Sequence, residues 1–173
     1  MLHNVYHWLC CPMGVILKER YLIGRVLGQG GFGITYVAQE YGTGKLVAIK
    51  EYLPGAFATR ASSHEVTAYS GQLKTDFEEG KNFFLNEART LAEFIGNSNI
   101  VTVYSFFEEN GTAYYVMEYL EPVEVFDCSR AAAKWMMKVA LAVNSLHCAG
   151  YIHRDLKPGN IMRRRNGEVV IID

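Results

Sequence analysis

The stretch His153-Arg154-Asp155-Leu156-Lys157-Pro158-Gly159-Asn160 decides how the rest of the chain is read. It sets two oxygen donors for a metal or a proton, Asp155 and Asn160, beside two cations, Arg154 and Lys157. Pro158 has no amide hydrogen and pushes Lys157 toward extended backbone, and Gly159 follows at once. Such a run is neither a packed strand nor a plain helix. It reads as a polar loop held between a helical run ending near Ala149 and the strand-like Val169 to Ile172.

The helix before that loop is predicted from Arg130 to Cys148. Ala132, Trp135, Met136, Val139, Val143 and Leu146 recur at helical spacing, Ser129 suits the cap and Gly150 ends the run. After the loop, Ile161-Met162 and Val169 to Ile172 flank Arg163-Arg164-Arg165-Asn166-Gly167, an Asn-Gly hairpin whose arginines read as a solvated turn. Asp173 follows directly.

Toward the N-terminus the period becomes strand-like. Tyr21 to Leu27 leads into Gly28-Gln29-Gly30-Gly31-Phe32-Gly33, and Ile34 to Ala38 follows. G-x-G-x-x-G alone is a weak signal and also fits an ordinary glycine hairpin. A dinucleotide fold needs a helix next, but here β-branched and aromatic residues continue, and Tyr41-Gly42-Thr43-Gly44 turns the chain back. No Gly-Lys-Ser/Thr follows, which excludes a Walker loop. Strand, glycine loop, strand is a flap whose amides can approach phosphate oxygens without a Cβ in the way. Leu46 to Ile49 then ends in Lys50.

Taken alone, a lysine that ends an apolar strand reads as an edge residue. Between about Asp76 and Ile95, Phe83, Leu91 and Phe94 stack along one helical face, and Glu87 sits in that row. A carboxylate on a buried stripe loses hydration unless paired, and Lys50 is the obvious partner. The residues from Glu51 to Thr75, with Pro54-Gly55 and no clear period, read as a surface insertion without chemistry. Ile100 to Tyr104 and Ala113 to Met117 are two more strands joined at Asn110-Gly111. Glu118, Tyr119 and Leu120 lie at the end of the second, before Pro122.

With 173 residues, a net charge of −1 and half the residues hydrophobic, the chain can bury one sizeable core or build two small lobes. The charge balance gives no case for nucleic acid or a membrane surface as the main partner. Cys10, Cys11, Cys128 and Cys148 form no spaced framework and read as reduced thiols, so a cytoplasmic location is expected. No apolar run reaches the about 18 residues that cross a bilayer, and residues 1–17 lack the marks of a signal peptide. His3, His7, Cys10 and Cys11 have spacings a metal could use, but adjacent cysteines without a second ligand pair read better as an extension lying loosely on the body.

His153 to Asn160, the glycine flap, Val47-Ala48-Ile49-Lys50 and the closing Ile171-Ile172-Asp173 occur in the order found in protein kinases. From about Tyr21 onward the chain resembles the front part of a eukaryotic-type Ser/Thr protein kinase of the kind bacteria carry. The resemblance implies an α+β, protein-kinase-like fold. Residues 18–120 would form a five-stranded antiparallel N-lobe with one long helix. Residues 121–173 would supply the first helix and catalytic loop of a truncated helical C-lobe, and 1–17 a poorly defined leader.

The same resemblance implies ATP and Mg²⁺ as cofactors and the Ser/Thr hydroxyl of a protein as acceptor. Gly28, Gly30 and Gly33 would cover the phosphates, and Lys50, fixed by Glu87, would hold the α- and β-phosphates. Leu27, Thr35 (where the family usually has valine), Ala48, Met117, Glu118, Leu120 and Met162 would line the base. Asp155 would accept the hydroxyl proton, Lys157 would steady the γ-phosphoryl charge, and Asn160 and Asp173 would bind Mg²⁺. Lys157 before Pro158 resembles the Ser/Thr class rather than the tyrosine class. Residues 121–129 depart from the family pattern. An activation loop and the remaining helical lobe are missing from the sequence, so the expected product is a shortened kinase that binds nucleotide weakly and transfers phosphate poorly, leaving α-helical apolar surface uncovered. A nucleotide-binding, pseudokinase-like interaction module is the competing reading.

Overall fold

The computed structural model describes residues 9–61, 64–122 and 129–172. These fall into two compact units, one built from the chain up to Ala92 together with Val103–Tyr119, the other from Glu93–Thr102 together with Leu120 onward.

The first unit is an antiparallel sheet with one helix. Its strands are β1 (Ile16–Leu17), β2 (Tyr21–Gly30), β3 (Gly33–Glu40), β4 (Leu46–Tyr52), β7 (Val103–Glu109) and β8 (Thr112–Glu118), in the order β1-β2-β3-β4-β8-β7. Four strands are those read from the sequence, and the strand expected at Ile100 to Tyr104 instead begins at Val103 and runs to Glu109. The sixth, β1, comes from the segment expected to lie loosely: Lys18 and Glu19 take positive φ, Arg20 N–H bonds to Leu17 C=O at 2.9 Å, and the chain doubles back onto Tyr21. Leu9, Cys11 and Leu17 are buried, so residues 9–17 are packed against the sheet, a correction to the loose leader. Asn110 and Gly111 both have positive φ and close β7 onto β8, as the Asn-Gly pair demands.

The insertion is also more ordered than its composition suggests. It folds into a hairpin, β5 (Ala58–Arg60) with β6 (Val66–Ala68), whose Val66 N–H bonds to Asn110 C=O at 2.8 Å. Helix α1 (Gln72–Glu93) starts earlier than the apolar period indicates. It buries Phe77, Phe84, Leu85 and Ala88, whereas Phe83 is 73% exposed. Periodicity cannot choose between adjacent phenylalanines; the rings of Tyr52 and Tyr115, 5.6 and 5.0 Å from that of Phe84, make the choice. The stripe therefore runs one residue away from the expected one, and Glu87 is exposed at its edge rather than on it.

The second unit holds helix α2 (Ser129–Cys148), a 3₁₀ turn at Pro158–Asn160, and a three-stranded antiparallel sheet β11-β10-β9 of Val169–Ile171, Ile161–Arg163 and Glu121–Pro122. Val139, Ala142 and Leu146 form the buried stripe of α2, while Met136, Met137 and Leu141 are exposed. Gly150, at φ 84°, ends the helix: its N–H bonds to His147 C=O and Tyr151 N–H to Leu146 C=O, the paired closure that frees a left-handed residue after the last turn. The capping side chain of Ser129 and the departing stretch 123–128 lie outside the described residues. The β10–β11 turn is wider than a two-residue Asn-Gly turn. Arg164 and Glu168 flank three residues, and only Gly167 takes positive φ. Residues 93–102 are fastened to this unit by Asn97 to Ser145, Asn99 to Val169 C=O and the Ile100–Ile171 bridge. Among the described residues, no helix is long and apolar enough to cross a membrane.

Candidate active site

In the first unit the register of three strands gathers the expected nucleotide residues on one face. Thr35 on β3, Lys50 on β4 and Tyr115 on β8 are direct partners, as are Val37, Ala48 and Met117 one step along. Since side chains alternate across a strand, these rows share a side of the sheet. Lys50 Nζ lies 3.4 Å from Glu87 Oε1 and 5.5 Å from the centre of the Tyr115 ring, and the Tyr115 hydroxyl donates to the same carboxylate oxygen at 3.2 Å. Lys50 is largely covered and Glu87 is not, so the pair joins a buried strand to the rim of a helix. Met117 is buried, Glu118 half-buried and Leu27 partly exposed.

The glycines divide into two kinds. A Cβ on Gly28 or Gly30 would meet nothing within 4 Å, so their open backbone fits the approach of a phosphate. A Cβ on Gly33 would stand 2.0 Å from Glu51 C=O, so this glycine is required by the contact of β3 with β4. Phe32, at the tip, is exposed, and its carbonyl accepts the Leu53 N–H at 3.1 Å.

In the second unit Asp155, Lys157 and Asn160 converge. Lys157 Nζ donates to Asp155 Oδ2 at 2.6 Å, and Asn160 Nδ2 donates to Asp155 C=O at 3.0 Å. The hydrogen bond from Lys157 holds the Asp155 carboxyl below its usual range, so the group stays ionised. Asn160 is buried with its amide nitrogen committed to Asp155, and its Oδ1 is an oxygen donor of the kind that suits Mg²⁺. His153 Nε2 lies 3.1 Å from Ile172 C=O, and Ile172 N–H bonds to Asn160 C=O at 3.0 Å, tying the loop to the residue that precedes Asp173. Arg154 sits at φ 63°, a left-handed conformation that costs a non-glycine residue about 1–3 kcal/mol. Met162 lies on β10 and Leu120 is buried. Asp173 lies outside the described residues.

A family model described as Protein kinase domain matches residues 21–173. The chain belongs to the protein kinase domain family. The kinase domain is 33% identical over 170 residues to Serine/threonine-protein kinase D of Synechocystis, covering 93% of this chain and 31% of that one. It is 31% identical over 159 residues to Calcium-dependent protein kinase 14 of Arabidopsis thaliana, covering 87% of this chain and 27% of the relative. The solved structure described as PpkA-294 apo form superimposes with a TM-score of 0.83 at 30% identity, covering 95% of this chain and 61% of that one. The kinase domain thus spans about a quarter to a third of the curated relatives it matches.

Sequence reasoning missed a second polar centre on the opposite face of the same sheet. Glu51, fully buried, accepts hydrogen bonds from the Tyr36 and Tyr114 hydroxyls and pairs with Arg60. The signal available was a second charged residue, Glu51, directly after Lys50 in the run Val47 to Leu53, with an arginine nine residues on.

Proposed function

We propose that the chain carries out ATP- and Mg²⁺-dependent transfer of the γ-phosphoryl group to a Ser or Thr hydroxyl of a protein. The observation that carries this reading is the Asp155–Lys157–Asn160 constellation: an ionised carboxylate, a cation bonded to it and a buried amide oxygen donor in one loop. The Lys50–Glu87 pair and the open backbone at Gly28 and Gly30 supply what a triphosphate needs, a fixed ammonium and amides without side chains.

The residues map onto the needs of phosphoryl transfer, which are placement and charge neutralisation more than covalent work. Bound Mg²⁺ would neutralise phosphate charge, held by Asn160 and, by resemblance, Asp173. Asp155 takes the proton of the acceptor hydroxyl as its oxygen bonds to the γ-phosphorus and the bond to the ADP oxygen breaks. Lys157 holds that carboxylate ionised and stands beside the developing charge. Leu27, Thr35, Ala48, Met117 and Glu118 of the first unit are the proposed lining for the base.

The test is to incubate the chain with γ-labelled ATP, Mg²⁺ and a Ser-rich protein. Incorporation that Asp155→Ala abolishes is the expected result. Thermal stabilisation by ATP with no incorporation overturns the transfer step and leaves a nucleotide-binding module.

A further inference from the structure

Lys50 and Glu51 are neighbours on β4, so their side chains leave opposite faces of the sheet. Tyr115 and Tyr114, their direct partners on β8, do the same. On one face Lys50, Tyr115 and Glu87 meet. On the other, Glu51 Oε2 accepts the Tyr36 hydroxyl from β3 and Oε1 the Tyr114 hydroxyl from β8, each at 2.7 Å, with Arg60 at 2.5 Å. One carboxylate therefore fixes the central strand to both of its neighbours, one residue away from the lysine.

Two segments outside the sheet complete this centre. Arg60 belongs to the β5–β6 hairpin and donates from Nε to Leu9 C=O at 2.7 Å and from Nη1 to His64 C=O. Cys11 N–H donates to the Tyr36 hydroxyl at 2.9 Å. Burial works against the Arg60 cation, and the Glu51 carboxylate more than offsets it. Apolar side chains of similar volume would pack such a site at least as stably. What bonds of fixed length add is position: on this face the side chains of β3, β4 and β8 are held to one another by an ion pair and two hydroxyl donors as well as by the backbone ladders.

We propose that Glu51 is a positioning residue for the Lys50–Glu87 pair, and that residues 9–11, by closing the shell around Glu51, set that pair from the far face of the sheet. The functional meaning rests on Lys50 as a nucleotide contact, as proposed above; the structural coupling does not.

The experiment follows Lys50 in the full chain labelled with ¹³Cε-lysine, its resonance assigned with Lys50→Arg. Glu87→Gln gives the position of the signal when the pair is broken. Tyr36→Phe keeps the ring and removes one hydroxyl, so it retains the packing; Arg60→Met removes the cation. Val66→Ala, also a buried position of the insertion, serves as a destabilising control. The expected result is a Lys50 signal displaced toward the Glu87→Gln position in Tyr36→Phe and further in Arg60→Met, and unmoved in Val66→Ala. A signal unchanged in folded Tyr36→Phe overturns the proposal, as does equal displacement by Val66→Ala, or no response to Glu87→Gln. If Arg60→Met does not fold, Tyr36→Phe decides alone. Calorimetry with ATP and Mg²⁺ supplies the functional arm: Lys50→Met should weaken binding less in the Tyr36→Phe background than in the native one, and equal weakening overturns the link to nucleotide. If the native chain binds no nucleotide, the proposed function falls, and the lysine spectrum still decides the coupling.

Discussion

The carbonyl oxygen of Glu51 stands 2.0 Å from where a Cβ on Gly33 would sit. Backbone on both sides leaves no rotamer to relieve that clash, so Gly33→Ala must spread β3 from β4. The cost should be about 1–3 kcal/mol, the range for overpacking a fitted site. Gly30→Ala, with open space around it, should stay within about 1 kcal/mol, the usual difference between these residues in a strand. Urea unfolding of the two variants separates a glycine kept for strand contact from one kept for ligand approach.

Glu87→Gln should hardly change stability, by less than about 1 kcal/mol, because its side chain is partly in water and the 3.4 Å pair is screened. Lys50→Met should cut nucleotide affinity about tenfold or more, since a charge contact near a protein surface is worth up to about 4 kcal/mol. Thermal melts and calorimetry with ATP and Mg²⁺ check the two halves, and a large melting shift in Glu87→Gln would contradict the first.

Lys157 depresses the pKa of Asp155 below that of the unfolded chain. A depressed carboxyl favours the fold above its unfolded pKa, and that contribution disappears as pH falls through the folded value. Both side chains are mostly exposed, so the effect on stability is small. Lys157→Met should move the Asp155 titration upward to the ordinary aspartate range with little change in melting. Carboxyl ¹³C spectra followed through acid pH give the answer.

Burial first, and the Glu51 charge second, push the Cys11 thiol up to about 11 from its ordinary 9.0. With its folded value raised, the protonated thiol favours the fold fully below pH 9.0 and loses that contribution as pH climbs through about 11. At pH 8 iodoacetamide should therefore label the exposed Cys148 well before Cys11, and peptide mass spectrometry reads the order. Rapid labelling of Cys11 in the folded protein would mean that residues 9–11 leave the sheet.

Strands, the glycine flap and the polar loop were legible because each has a local cause: alternation, special backbone conformations, a proline that forbids helix. The Asn110-Gly111 turn is such a case, its two positive φ angles following from two residue types. The choice of Phe84 over Phe83 was not legible, because it is made by rings on β4 and β8, distant in sequence. The order of the insertion was hidden for the same reason. Ala, Ser, Thr and Gly give no apolar period, and the hairpin is held by Arg60 reaching Glu51 and Leu9. In the candidate site, the loop residues were readable because Asp155, Lys157 and Asn160 are near neighbours. The Glu51 centre joins residues from 9 to 114 and left only one glutamate out of pattern.

Gly111 has an obligation beyond its turn. A Cβ there would come 2.3 Å from Val66 C=O, so the residue that lets β7 reverse is also the seat on which the insertion hairpin rests. Any replacement loop, however well suited to reversing two strands, would evict its lodger. In this domain a two-residue bend is thus a shared foundation, and shortening the hairpin or redesigning the bend must be done as one alteration.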